Sequence, residues 1–139
     1  MNVLMGVDAL QPERVERAMA RWGEAYSAKV CSEAELSEWG SRPAGVAACL
    51  AVKECLIKAV GGRTYPFDWH GLNAGGPAWP AARDLLEDAA GAFGAATGAV
   101  STRLTGCAVR ARGLRGAALW GHSGDHIVAM AVLVEEGTC

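Results

Sequence analysis

The sequence predicts an α+β fold, and three observations predict it. Residues Ala44 to Gly62, AGVAACLAVKECLIKAVGG, make a helix-length stretch that is apolar on almost every side. Two more stretches, from Pro12 and from Ala81, carry apolar residues at helical spacing. The last third, from Ala99, alternates and then becomes continuously apolar, as strands do.

The long helix organises the chain. Only Lys53, Glu54 and Lys58 are charged in it, all in its second half. A helix apolar nearly all round is a buried helix. Pro43 suits its first position, where a missing N–H costs nothing. Gly61-Gly62 supplies the stop, because glycine takes the left-handed conformation that closes a helix. Glu54 and Lys58 are four apart and share a face, whereas Lys53 points about 100° away from Glu54. Either Glu54 and Lys58 form an ion pair at a solvated edge, or they face a cleft. There the carboxylate could hold a hard divalent cation and the lysine could meet phosphate.

The other elements can be read in chain order. Asn2 to Asp8 reads as a short strand with Asp8 at its end, placed either to bind a ligand or to cap the next helix. Pro12 to about Tyr26 is helical, with Val15, Met19, Trp22 and Tyr26 on its apolar face. Arg14, Arg17 and Arg21 form a second stripe, either a solvated face or a basic strip for an acidic partner. Ser32 and Glu35 fit a capping box that opens a helix from Glu33 to about Trp39. The segment RTYPFDWHGLNAGGPAWP is mostly loop, with a strand near Phe67 to Leu72. No GK[ST] comes after Gly61-Gly62, so it is not a P-loop. Ala81 to Thr97 is a third substantial helix, with Leu85, Leu86, Ala89, Ala90 and Phe93 facing one way. Strand-like segments then run over Ala99–Arg112, Gly116–Trp120 and Ile127–Val134, leaving Glu135 to Cys139 as a tail. The turn GHSGDH holds His122 and His126 four apart, but its glycines argue against a helix presenting both to one metal.

Composition bounds the function. At 139 residues, 51% apolar and 20% charged, the expectation is one globular domain over residues 1–139. The net charge of −2 gives no case for nucleic-acid binding, and no apolar run reaches the length of a membrane span. Cysteines at 31, 49, 55, 107 and 139 are odd in number and form no CxxC pair. They read as reduced thiols in a cytoplasmic protein. The N-terminus, MNVLMGVDALQPER, lacks the features of a signal peptide.

Three separated features coincide: GVD ending the first strand, AVKECLIKAVG in the long helix, and GHSGDHIVAMAV near the end. In that order and spacing the chain resembles the holo-acyl-carrier-protein synthase type of 4′-phosphopantetheinyl transferase, least so from Ala99 to Arg115. The resemblance implies that family's fold, an antiparallel sheet packed on a long central helix. It implies transfer of the phosphopantetheine arm of coenzyme A to a serine of an apo acyl or peptidyl carrier protein, releasing 3′,5′-ADP. Asp8 and Glu54 would hold Mg²⁺. Lys58 would meet coenzyme A phosphate, with Gly61 and Gly62 beside the nucleotide and His122 bordering its site. Arg14, with Arg17 and Arg21, would receive the acidic carrier protein. The serine proton would pass to Glu54, to a metal-held water or to His122. A homotrimer with sites between subunits is implied as well. The chain departs from the pattern twice. Cys49 stands where the family commonly has arginine, and Gly121 where it commonly has Ser or Thr. Arg42 or Lys53 would then supply the lost charge toward coenzyme A. The departures also keep open a module of the same fold that binds carrier protein or nucleotide without turnover. A metal hydrolase using His122 and His126 is the third reading.

Overall fold

The computed structural model describes residues 2–63 and 65–135. Most of the expected tail, residues 136–139, therefore lies outside the described residues. The elements run β1 (Val3–Leu10), α1 (Pro12–Trp22), α2 (Glu24–Val30), α3 (Glu33–Trp39), α4 (Pro43–Ala59), β2 (Leu72–Ala74), α5 (Pro80–Thr97), β3 (Thr102–Val109), β4 (Leu114–Ser123) and β5 (His126–Glu135). The five strands form one antiparallel sheet in the order β1-β5-β4-β3-β2.

The sheet lies between two layers. α4 covers one face, packing mainly on β1 and β5. Val46 to Val52, Cys55 and Leu56 are buried there with Leu10, Ile127, Ala129 and Leu133. α5 covers the other face, where Leu86 and Phe93 pack on Leu119, Met130 and Val132. Each fully buried Leu, Ile or Val of these layers contributes about 1.5–3 kcal/mol. The α4 layer can sit so close because β1 carries Gly6 at the crossing. A Cβ at Gly6 would lie 2.0 Å from the Cys55 carbonyl oxygen.

Some local expectations hold and others shift. α4 runs from Pro43 as its apolar pattern requires, and its apolar faces are buried all round. The Ser32–Glu35 capping box is formed, with Ser32 Oγ accepting from Glu35 N and Glu35 Oε1 accepting from Ser32 N. The helix expected from Pro12 to Tyr26 is instead two. Gly23, at φ 59° and ψ −140°, turns the chain between α1 and α2 and leaves Trp22 exposed rather than on the buried face. The strand expected near Phe67 is a 3₁₀ turn over Trp69–Gly71, and β2 begins only at Leu72. β1 continues past Asp8 to Leu10, because its pairing with β5 continues to Leu10–Ile127. The hairpin turn is tighter than the GHSGDH motif: His122 lies within β4 opposite Ile127, and His126 opens β5.

Candidate functional site

The packing of β1 on α4 brings together residues far apart in the chain. Alternation along β1 turns Leu4, Gly6, Asp8 and Leu10 toward α4. Asp8 therefore meets the last turns of the helix. Lys58 Nζ donates to Asp8 Oδ1 at 2.6 Å. This bond holds the Lys58 ammonium protonated beyond the usual lysine range. Asp8 caps nothing, since Gln11 occupies the N-cap of α1.

Glu54 does not pair with Lys58. It sits one turn back and is approached by two arginines, Arg14 Nη2 at 3.9 Å from α1 and Arg63 Nη2 at 3.8 Å from beyond the Gly61-Gly62 turn. Both distances exceed a hydrogen bond, so the carboxylate is charge-balanced without being saturated. Asp8 and Glu54 are mostly shielded, with side chains 12% and 17% exposed, while the cations around them reach solvent. Burial, reinforced by Asp8, pushes the thiol of Cys55 up, so the cysteine between them stays neutral.

Lys53 takes no part, contrary to its expected role toward coenzyme A. Its ammonium is fully buried and its three donors are spent on Glu35 Oε1 at 2.7 Å, Val30 O at 2.7 Å and Trp69 O at 3.0 Å. Glu35 Oε2 accepts from Ala74 N at 2.7 Å, so one ion pair ties α2, α3, α4 and β2 together. Nothing in the sequence marked Glu35 as the partner beyond its capping-box place. Arg63 was missed as well; its only signal was its position just past the glycines.

His122 lies apart from the Asp8 group. Its ring packs edge-on to Trp120 with centroids 6.0 Å apart. It shares a cleft with Glu38, Trp39, Arg103 and the first turns of α4 around Ala44 and Gly45, whereas Lys58 is in the last turn. His122 pairs with Ile127 and His126 with Ser123, so alternation turns the two rings to opposite faces of the hairpin and the His122–His126 metal site does not form. Gly61 and Gly62 close α4 with positive φ, Gly62 N donating to Ile57 O at 2.9 Å. Arg17 and Arg21 are exposed with Arg14 along α1, Arg21 stacking 4.9 Å from the Trp22 ring.

The two departures have physical reasons. Cys49 is fully buried, and its hydrogen bond with Cys31, then burial, pushes its thiol well up. An arginine there would enter the core. At Gly121 a Cβ would lie 2.5 Å from the Ser101 carbonyl oxygen, because the chain entering β3 crosses it.

Asp8 lines an open cleft with Lys58, and Glu54 stands one turn before Lys58 on the same helix; such a donor set suits Mg²⁺, which takes one or two carboxylates and completes its shell with water and substrate phosphate. The open side of Glu54 and the cationic rim are consistent with that use.

No family model matches the chain. It is 34% identical over 61 residues to a holo-[acyl-carrier-protein] synthase of Roseiflexus sp., covering 44% of each chain. To that of Bordetella pertussis it is 39% identical over 74 residues, 47% of this chain and 48% of the relative. To that of Chlorobaculum tepidum it is 33% identical over 72 residues, 49% and 62%. These matches span about half the length of the curated relatives. In structure it resembles the Neisseria meningitidis holo-[acyl-carrier-protein] synthase, TM-score 0.57 at 21% identity, over 95% of this chain and 98% of that one. It also resembles the Helicobacter pylori synthase solved with coenzyme A, TM-score 0.59 at 14% identity, over 94% and 100%. By fold over nearly its whole length, and by sequence over about half of it, the chain is similar to the holo-[acyl-carrier-protein] synthases.

Proposed function

We propose that the chain is a holo-acyl-carrier-protein synthase. It would transfer the 4′-phosphopantetheine arm of coenzyme A to a serine of an apo carrier protein. The observation that carries this reading is the meeting of Asp8 with Lys58 at the β1–α4 contact, with Glu54 one turn before Lys58 on the same helix, in a fold shared with such synthases. Asp8 and Glu54 would hold Mg²⁺, which would supply charge neutralisation on the diphosphate.

The chain's own residues do the rest. The carrier serine oxygen forms a bond to the β-phosphorus of coenzyme A, and the bond from that phosphorus to the bridging oxygen breaks. 3′,5′-ADP leaves with the electron pair. Lys58, kept protonated by Asp8, offers charge to the leaving phosphate. Of the chain's own residues, Glu54 or His122 would accept the serine proton. His122 lies by the opposite end of α4, so it would join this group from a neighbouring copy, as in the homotrimer that the family resemblance implies. Arg14 lies beside Glu54 and Arg17 and Arg21 continue the exposed stripe along α1, where an acidic carrier protein would dock. The free thiols of Cys31, Cys49, Cys55 and Cys107 fit a cytoplasmic setting. Among the described residues no helix is long and apolar enough to cross a membrane.

Incubation with Mg²⁺, coenzyme A and apo carrier protein, read by intact mass, tests the reading. A carrier heavier by one phosphopantetheine arm is expected from the wild type and none from Glu54→Gln, with the melting temperature preserved. A wild type that binds coenzyme A and carrier without transfer would make the chain a binding module.

A further inference from the structure

Arg63 is held more firmly than a surface arginine needs to be. Its guanidinium carbon lies 4.7 Å from the Phe67 ring centroid and 4.9 Å from that of Trp69. The two rings themselves pack edge to face at 5.0 Å. Stacked guanidinium groups keep their in-plane donors free and fixed in direction. Glu54 does not use those donors up, because it stands at 3.8 Å. The Arg63 side chain is still 46% exposed.

Charge points the same way. Two carboxylates, Asp8 and Glu54, face three cations, Arg14, Lys58 and Arg63. A divalent cation on the carboxylates leaves the cluster strongly positive, so it calls for a ligand with several negative charges. Arg112 adds to this. Its Nη1 donates to Val60 O at 3.5 Å, and it lines with Arg63, Gly62 and Asp68 a cleft of about 150 Å³ beside the end of α4. The other cations of this helix are spent or remote. Lys53 is buried and saturated, and Arg42 stands at the opposite end of α4.

We propose that Arg63, fixed by Phe67 and Trp69, binds a phosphate of the nucleotide substrate. This rests on the transferase reading for the identity of the nucleotide. The phosphate is either the 3′-phosphate or the diphosphate of coenzyme A. Two planar donors reach it as a fork, which a lysine cannot reproduce.

The test uses Arg63→Ala and Arg63→Lys in the full chain. It reads kinetics with coenzyme A and with dephospho-coenzyme A, and calorimetric binding of 3′,5′-ADP with Mg²⁺. For Arg63→Ala the coenzyme A KM and the 3′,5′-ADP Kd should both rise by on the order of tenfold to a hundredfold, the loss of a charge-assisted bond. The carrier-protein KM should stay near wild type, and Arg63→Lys should recover part of the loss. Fold damage alone would not spare the carrier KM. A penalty that vanishes with dephospho-coenzyme A assigns Arg63 to the 3′-phosphate; one that persists assigns it to the diphosphate. Coenzyme A KM and 3′,5′-ADP Kd within twofold of wild type overturn the proposal while leaving a transferring wild type intact. A wild type that transfers nothing but binds 3′,5′-ADP through Arg63 overturns the transferase reading alone.

Discussion

Replacing Lys53 by methionine separates a structural lysine from a substrate-binding one. Met keeps most of the buried volume and removes the ammonium. Three acceptors then lose their donor: Glu35 Oε1, Val30 O and Trp69 O, all within 3.0 Å of Nζ in the parent. Glu35 keeps Ser32 N and Ala74 N, but its charge stays 2% exposed with no cation beside it. Breaking a buried pair in this way costs about 3–5 kcal/mol, and the two stranded carbonyls favour the upper half of that range. Against a total stability of about 5–15 kcal/mol this is a large fraction. It corresponds to a fall in Tm of roughly 10–20 °C for a chain of this size. Urea unfolding gives the free energy and calorimetry the Tm. The double variant Lys53→Met/Glu35→Gln should be less destabilised than the sum of the singles, because the second change removes the orphaned charge. At a temperature where Lys53→Met is still folded, its KM for coenzyme A should match wild type. A variant that melts with the parent but shows a tenfold higher coenzyme A KM would refute the argument and return Lys53 to the substrate.

The same contacts lead to further expected outcomes. Cys49→Arg should lower stability by about 3 kcal/mol or more without improving coenzyme A affinity, since it buries an unpaired charge; thermal melting beside kinetics decides, and tighter coenzyme A binding would contradict it. Gly6→Ala should separate β1 from α4, because its methyl would meet the Cys55 carbonyl oxygen at 2.0 Å. Transfer should drop more than stability as Asp8 moves from Lys58, and activity equal to wild type would show that the contact does not position the site. Reversing Arg14 and Arg21 to glutamate should raise the carrier-protein KM and flatten its salt dependence, with the coenzyme A KM changing much less; an unchanged carrier KM makes the stripe an ordinary solvated face.

The sequence by itself determined the elements whose signals are local. α4 was legible because its apolar residues leave no polar face, and because proline and a glycine pair bracket it. The Ser32–Glu35 box announced α3, since both partners lie within one turn. Asp8, Glu54 and Lys58 could be named as candidates because carboxylates and lysines are scarce in such apolar surroundings. Tertiary structure alone decided their pairing. Lys58 reaches 50 residues back to Asp8 rather than four to Glu54, because Gly6 lets β1 press against α4. Lys53 and Glu54 are neighbours in sequence and opposite in fate. A rotation of about 100° sends one into the core to meet Glu35 and leaves the other at the rim between Arg14 and Arg63. No local pattern carries that difference, because it depends on which side of the helix the rest of the chain covers.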